Sequence, residues 1–350
     1  MKNPILALLC VVAIAGAAIL LAGVLAATQP YASFAIPVFG WAGAYVAGVL
    51  VVAVPYAAFA ILVLGLAWRV IRWSLSPVPF RIPTVCGQQK SLAWIRSSRL
   101  ESPFTTLGVI GRMALEILAF RSLFRGASAR LEKGPQLIYR DRKLLWLAAM
   151  AFHWSLLVIL LRHLRLFVEP APRLSLMLDR LDGFFQVGAP PFYLTDGLLL
   201  AGILYLLQRR LRDPQIRFLS LFTDYFALFL LGGIAFSGIW MRYVARTDIV
   251  AVKQFAIGLA IFAPAVPQRV GAWFYVHLAL VSTLAAYLPF SKLVHLGGVF
   301  LSPTRNLANN NRARRHINPW NAPVKVHTYE EWEDEFRDKM EAAGLPLEKR

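Results

Sequence analysis

A pair of histidines, His277 and His295, lies within the apolar stretch 269–302. Histidine is costly inside hydrocarbon, so a histidine at that depth usually binds a ligand or takes part in proton movement. If the stretch forms one transmembrane helix, the separation of eighteen positions corresponds to five whole turns and ~27 Å along the axis. We therefore expect both imidazoles on one face of a single helix, near opposite surfaces of the membrane.

A second pair, His153 and His163, lies in the apolar stretch 144–168. Two helices that each carry two histidines can hold two haem b groups, with one imidazole from each helix on either side of each iron. Because both axial positions are then filled, such haems transfer single electrons and leave no open position for a substrate. The predicted ligands of the two haem irons are His153, His163, His277 and His295.

The composition is that of a membrane protein. Of the 350 residues, 58% are hydrophobic and 16% are charged, and several apolar runs are long enough to cross a bilayer. The net charge of +18 comes largely from basic loops beside these runs, which is the positive-inside pattern and argues against nucleic-acid binding. With only Cys10 and Cys86, the chain cannot supply the ligands of an iron–sulfur cluster, so we expect any such cluster in a partner protein.

We predict an all-α fold, a polytopic membrane helical bundle of about six transmembrane helices with a haem b core in a four-histidine arrangement. The predicted spans are residues 5–27, 40–68, 144–168, 192–208, 221–241 and 270–300. The apolar segment 249–267 is interrupted by Lys253, Pro264 and Pro267, which favours an outer-surface or re-entrant segment. Residues 27–30 are a poor signal-peptidase site, so the first run is predicted to be a retained helix.

Basic residues give the orientation of the chain. The segment 69–143 holds fourteen Lys and Arg residues, which places it on the cytoplasmic side. With six spans, both termini are predicted to be cytoplasmic, in a lipid-embedded protein of the bacterial inner membrane. The third and sixth spans are then antiparallel. His153 should therefore pair with His295 near the inner surface, and His163 should pair with His277 near the outer surface.

Four regions follow from this topology. They are N-terminal transmembrane helices at 1–68, a cytoplasmic basic loop at 69–143, a di-haem membrane domain at 144–300 and a cytoplasmic tail at 301–350. Within the loop, residues 104–125 mix apolar and basic residues at helical spacing, which favours an interfacial helix or a docking surface. The tail contains a predicted acidic helix that begins with a capping box at Thr328 and Glu331. Its narrow apolar stripe consists of Trp332, Phe336 and Met340. We expect a partner protein to cover the stripe, and packing on the basic loop is the alternative.

Charged residues near the outer haem are further candidates. Asp196, near the outer end of the fourth span, is a candidate catalytic residue because a carboxylate there can accept a proton. Its structural alternative is a helix cap or a salt bridge to Arg162 or Arg165. The candidate partners of haem propionates are Arg162, Arg165 and Arg242, since guanidinium binds carboxylate bidentately. Snorkelling of these arginines to the membrane surface is the alternative.

Other interpretations stay open on spacing alone. A zinc site is disfavoured because the sequence has no HExxH motif and no carboxylate at ligand spacing from either histidine pair. A proton-translocating helix pair fits the same spacing. A ferric-reductase-like enzyme would need a nucleotide-binding domain, and neither 69–143 nor 301–350 contains a glycine-rich fingerprint. The alternative of a different class is a haem-free membrane transporter or structural assembly subunit.

The spacings of nine residues between His153 and His163 and of seventeen between His277 and His295 resemble a known family. They are similar to the two haem-bearing helices of the respiratory nitrate reductase gamma-subunit family, over about residues 144–300. This resemblance implies two b haems and exchange of electrons with membrane quinones. The protein would then be an electron-transfer subunit of an oxidoreductase complex, without a complete active site of its own beyond a quinone site, for which Asp196 is the candidate residue.

The tail sequence NPWNAPVKVHTYEEW at 318–332, together with the additional N-terminal span, carries a narrower resemblance. It is similar to the DsrM family of cytochrome b subunits from DsrMKJOP complexes, which are associated with dissimilatory sulfite reductase. The resemblance implies a role in dissimilatory sulfur metabolism and a cytoplasmic iron–sulfur partner resembling DsrK. The other subunits that it implies are DsrJ, DsrO and DsrP.

Overall fold

The computed structural model describes residues 4–27, 40–76, 87–131, 134, 136–183, 190–267, 270–302, 305–314 and 326–348. Cys86, the region 28–30 of the possible cleavage site and residues 318–325 of the tail motif lie outside the described residues. The chain forms two compact units. One contains residues 1–70 and 111–300, and the other contains residues 71–110 and 301–350.

The described secondary structure is mainly helical. In chain order the helices are α1 (Pro4–Ala27), α2 (Gly40–Ser74), α3 (Thr106–Ala119), α4 (Arg121–Phe124), α5 (Lys143–His163), α6 (Arg173–Asp182), α7 (Leu194–Arg212), α8 (Pro214–Leu219), α9 (Phe222–Tyr243), α10 (Ile249–Ala260), α11 (Ala272–Tyr287), α12 (His295–Gly298) and α13 (Tyr329–Ala342). Short 3-10 turns occur at Leu164–Leu166, Leu288–Phe290, Lys292–Val294 and Val299–Leu301. Strands β1 (Ala127–Leu131) and β2 (Leu137–Asp141) form an antiparallel hairpin.

Five helical segments in the described part of the chain are long and apolar enough to cross a membrane. They are Pro4–Leu25, Val46–Ser74, Lys143–Leu166, Phe222–Tyr243 and Ala272–Phe290. This confirms the prediction of a polytopic helical membrane bundle. Helix α7 corresponds to the predicted span 192–208, but it is more polar than these five because it carries Asp196 near its start and three arginines in its last turn. Helix α10 has 12 residues, too few for a full span, as the sequence indicated.

The sixth predicted span differs from the observed structure. Residues 270–300 do not form one helix, since α11 ends at Tyr287 and two 3-10 turns separate it from α12. Pro289 has no amide N–H with which to continue the α-helical hydrogen bonds. The prediction that His277 and His295 leave one face of a single ideal helix is therefore wrong.

Two further elements were not predicted. The β-hairpin lies within the basic segment 69–143, and α6 lies within the loop 169–191. Both are short, and α6 buries little apolar surface of its own, with Ser175 and Asp182 as its buried residues. Neither element contains the long run of apolar residues from which the membrane helices were predicted.

Helix α9 lies at the centre of the bundle and contacts α1, α7 and α11. One apolar cluster joins α1, α9 and α11 and includes Val11, Leu230 and Leu280. Another joins α5, α7 and α9 and includes Phe152, Ile203 and Leu231. Gly202 permits the close approach of α7 to α5, because a Cβ atom at this position would lie 3.0 Å from Phe152 Cβ. A close helix–helix approach of the bundle is therefore the one between α5 and α7.

The two long helices that carry histidines do not lie side by side. Helix α5 packs against α6 and α7, whereas α11 packs against α1 and α9, and the described residues form no extended α5–α11 contact. A flat cofactor held by imidazoles from both sides requires such a separation, since it must lie between the helices that bind it. The bundle therefore has the arrangement that a shared cofactor needs.

In the second unit, the segment 87–104 packs against residues 305–314. The amide N–H of Asn309 donates to the carbonyl of Pro103 at 2.7 Å, and the Asn309 side chain donates to Ser102 Oγ at 3.1 Å. The predicted capping box of α13 is confirmed, with both of its hydrogen bonds, between Thr328 and Glu331, at 3.2 Å. Residues 71–110 of the basic loop and the tail are thus parts of one compact unit, whereas residues 111–143 belong to the other.

Candidate functional site

His153 on α5 and His295 on α12 lie next to each other. Their ring centroids are 6.1 Å apart and their planes make an angle of 84°. Imidazole nitrogens bind metals at about 2.0–2.1 Å, so two rings on opposite sides of one ion have centroids roughly 6 Å apart. The separation of this pair therefore fits an iron shared by the two side chains.

Aromatic rings surround the inner pair. Phe120 and Phe152 each make an edge contact with the His153 ring, with centroids 4.9 Å away. Phe120 occupies the junction of α3 and α4 in a left-handed conformation (φ 46°), which is uncommon outside glycine. These contacts place the half-buried His153 ring against two aromatic side chains, whereas His295 is exposed.

Two tryptophans of α5 hold the end of α3 in place. The Trp146 indole N–H donates to the carbonyl of Ala119 at 2.7 Å, and that of Trp154 donates to the carbonyl of Leu118 at 3.1 Å. Carbonyls in the last turn of a helix lack helical partners, so these bonds cap α3 from the side. Because Phe120 follows directly, the caps determine where its ring meets His153.

The outer pair consists of His163 at the end of α5 and His277 in α11. His277 Nδ1 lies 2.9 Å from Oγ of Ser237. Ser237 is buried, with only 1% of its surface exposed. The neighbouring Gly238 makes room for the ring, since a Cβ atom there would lie 3.3 Å from His277 Cε1.

In each of the four histidines, Nδ1 has a hydrogen-bond partner in the protein. His153, His163 and His295 each place Nδ1 beside a backbone carbonyl, and these bonds are His153–Ala149 at 2.8 Å, His163–Ile159 at 2.7 Å and His295–Lys292 at 3.0 Å. A carbonyl can only accept, so Nδ1 must carry the proton in each case. Ser237 donates to the carbonyl of Ile234 at 3.0 Å and is therefore placed to accept from His277. Every Nε2 is then left with a lone pair for a metal.

The donor set suits axial ligation by pairs of histidines. Among the described residues, no group of three or more His, Cys, Asp or Glu side chains comes together as a metal site. Zinc sites in proteins use three or four such ligands, whereas the iron of a bis-histidine haem needs only two. The adjacency of His153 and His295 and the lone pair on each Nε2 therefore fit axial ligation of haem b.

We expect replacement of Ser237 by alanine to weaken the outer site selectively. The variant removes the hydrogen bond that orients His277, and loss of such a supporting bond commonly lowers metal affinity by about 10–100-fold. Haem titration of the purified variant should show weaker occupancy of one component only. The matched control is Ser155→Ala, which removes another buried hydroxyl from the bundle without touching His277; equal losses from both variants would contradict the prediction.

Arg162, at the outer end of α5, is buried between two carboxylates. Its Nη1 lies 3.0 Å from Asp182 Oδ2, and its Nη2 lies 3.3 Å from Asp196 Oδ1. Tyr243 donates its hydroxyl to the other oxygen of Asp196 at 3.1 Å. Asp196 thus forms the salt bridge to Arg162 that the sequence analysis gave as the alternative to a catalytic role. It also accepts a hydrogen bond from the Tyr243 hydroxyl.

Arg165 and Arg242 have different surroundings. Arg165 forms a salt bridge of 3.0 Å with Asp179 rather than with Asp196. Arg242 donates to the carbonyl of Pro191 at 3.2 Å, and its buried Nε has no hydrogen-bond partner among the described residues. Of the three candidate propionate partners, Arg242 is the one without a carboxylate partner in the described part of the chain.

Tyr193 links these arginines. The guanidinium carbons of Arg162 and Arg242 each lie 3.7 Å from the centroid of its ring, which places them on opposite faces because two groups cannot occupy the same face at that distance. The Tyr193 hydroxyl also donates to Asp179. Sequence reasoning missed Tyr193, Tyr243 and the two aspartates of α6. The available signal was the presence of acidic residues in the loop that precedes Asp196.

Comparisons with known proteins identify relatives of this arrangement. Residues 115–315, which include all four histidines, match the sequence profile described as nitrate reductase gamma subunit. A protein of Archaeoglobus fulgidus named Hdr-like menaquinol oxidoreductase cytochrome b-like subunit is 44% identical over 260 residues, covering 72% of this chain and 77% of the relative. The protein of the same name from Archaeoglobus profundus is 39% identical over the same shares of the two chains.

Proposed function

Because this chain belongs to the nitrate reductase gamma subunit family, we propose that it is a membrane di-haem cytochrome b that passes electrons between quinones and a cytoplasmic iron–sulfur partner. The observation that supports this most directly is the adjacency of His153 and His295, with both Nδ1 atoms bonded and both Nε2 atoms available. When bound, haem b supplies reversible one-electron transfer.

The side chains of the protein have separate tasks in this proposal. Each histidine binds through Nε2 and is oriented by the oxygen that accepts from its Nδ1. Phe120 and Phe152 pack against His153 and help to orient its ring. Arg242 is the candidate partner of an outer haem propionate because its Nε is buried and without a partner among the described residues. Arg162 and Arg165 are less suited to that task, since both already bind carboxylates.

Asp196 is the proposed proton acceptor of a quinone site beside the outer haem. Oxidation of a quinol releases two electrons and two protons, so a base must lie near the point where the electrons leave. The Asp196 carboxylate is held by Arg162 and accepts from the Tyr243 hydroxyl, which fixes its orientation. The name of the Archaeoglobus relatives suggests menaquinol as the quinol in question.

The proposed setting is a multi-subunit complex in the cytoplasmic membrane, with both termini on the cytoplasmic side. The relatives are named as subunits of an Hdr-like oxidoreductase, which supports the presence of partners. The tail motif at 318–332 favours the DsrM family, a role in dissimilatory sulfur metabolism and an iron–sulfur partner resembling DsrK, with DsrJ, DsrO and DsrP as further subunits. The acidic helix α13 is the proposed docking element for the cytoplasmic partner.

Spectroscopy and quinol oxidation test the proposal together. Purified protein should show a reduced-minus-oxidised b-type spectrum with about two haems per chain by pyridine haemochrome, as four axial imidazoles require. A menaquinol analogue should reduce these haems in membranes. Asp196→Asn should slow that reduction by about 10²-fold, the usual contribution of a positioned base, while leaving the spectrum intact. Full-length protein without colour would instead support the haem-free transporter or assembly subunit.

A further inference from the structure

The turn that leads to His295 is held by α2, a helix that lies outside the residues matched by the family profile. Arg69 Nε donates to the carbonyl of Pro289 at 2.8 Å. Trp68 packs beside Phe290, with ring centroids 6.5 Å apart. The end of α2 therefore contacts the break between α11 and α12 through both a polar and an aromatic side chain.

Gly65 makes this close approach possible. It is buried, and a Cβ atom at this position would lie 2.7 Å from Pro289 Cβ and 2.9 Å from Pro289 Cγ. Contacts below 3.0 Å between carbon atoms are repulsive, so any larger residue must displace the proline ring or α2 itself. The separation of α2 from the turn thus depends on the absence of a side chain at residue 65.

The Arg69 hydrogen bond has a clear physical role. The carbonyl of Pro289 lies beyond the end of α11 at Tyr287, so it has no N–H partner within that helix. A guanidinium at a helix C-terminus satisfies such a carbonyl and also interacts favourably with the helix dipole. Arg69 therefore stabilises the break in the helix, which would otherwise leave a polar group unpaired near the membrane surface.

The same turn is held from another side by α9. Lys292 Nζ lies 2.9 and 3.1 Å from the two carboxylate oxygens of Asp224. The carbonyl of Lys292 accepts from His295 Nδ1 at 3.0 Å, so the residue that is tied to α9 also orients the imidazole. His295 consequently takes its position from the turn 288–294, and not from a continuous helix shared with His277.

We propose that α2 is a positioning element for the inner histidine pair, and that Gly65 and Arg69 are positioning residues that set where His295 stands relative to His153. This inference rests on the proposed function, because it assigns α2 to the inner haem. The outer pair does not share this dependence. His163 is bonded within α5, and His277 is bonded to Ser237 of α9. Changes at the end of α2 should therefore affect one haem and spare the other.

Redox titration and low-spin ferric EPR of the full-length membrane protein test the inference, with His295→Ala used to identify the inner component. Gly65→Ala and Arg69→Met should shift the midpoint potential and EPR signal of the inner haem, or lower its occupancy by about tenfold. Arg69→Lys, which keeps a donor and a positive charge, should restore part of the wild-type signal. Gly48→Ala is the matched control on the same helix, since its Cβ would lie at an ordinary 3.9 Å from Val266.

The outcomes separate this inference from the proposed function. If wild-type protein holds two haems and both the Gly65 and Arg69 variants leave the inner component unchanged, α2 does not position His295, although the cytochrome proposal stands. Equal loss of both haems would also overturn the inference, since it would show a general weakening of the bundle. Wild-type protein without haem would overturn the proposed function and this inference with it.

Discussion

Replacement of His153 or of His295 by alanine is expected to remove one and the same haem. The centroids of the two rings are 6.1 Å apart, and an iron that loses one of two axial imidazoles loses most of its attachment to the protein. Replacement of His163 or of His277 should remove the other haem. Pyridine haemochrome analysis should show about half of the wild-type haem in each single variant. Redox titration should then assign the missing component to one pair or the other.

A histidine outside the bundle provides the control. His327 precedes α13 and lies 3.9 Å from Glu331, so His327→Ala should leave both haem components unchanged. The double variant of His153 and His295 should lose no more haem than either single variant, because both act on one iron. Loss of the same component from His153→Ala and His277→Ala would show that the pairing described here is wrong.

The sequence was sufficient to identify the four histidines but not to describe how they are held. Their location in apolar stretches was informative because a histidine in hydrocarbon needs a partner. The continuous helix predicted for 270–300 ignored Pro289, since transmembrane helices often tolerate proline when neighbours satisfy the freed carbonyl. In this protein α11 ends before Pro289, and the carbonyl of Pro289 itself accepts from Arg69, which is distant in sequence. No local pattern could have indicated that contact.

The outer end of the bundle shows the same limit. The salt bridge between Arg162 and Asp196 was one of two structural alternatives that the sequence offered for Asp196, and charge type and predicted depth were enough to suggest it. Asp182 was missed because α6 was treated as loop. That helix is short and polar, and it is placed by its contacts with α5 rather than by an apolar period of its own. Sequence reasoning therefore found the partners on long helices and missed the partner on a short one.

Replacement of Arg162 by methionine is expected to destabilise the protein by about 3–5 kcal/mol. The variant keeps an unbranched apolar side chain in place but leaves Asp182 and Asp196 without their shared cation, and a buried charge that loses its partner typically costs this much. Their side chains are 3% and 11% exposed, so water cannot replace the guanidinium at either one. Thermal unfolding of the protein in detergent, followed by loss of helical circular dichroism, should show a markedly lower midpoint.

Two further variants separate the ionic effect from lost packing around Arg162. Arg180→Met changes an exposed arginine of α6 and should alter the free energy of unfolding by less than about 0.5 kcal/mol. Adding Asp182→Asn and Asp196→Asn to Arg162→Met removes the uncompensated charges, so the triple variant should recover much of the lost stability if repulsion and desolvation are the cause. Stability of Arg162→Met equal to that of the Arg180 control would show that the buried network is not a stabilising element, and would leave Asp196 with the quinone site as its main role.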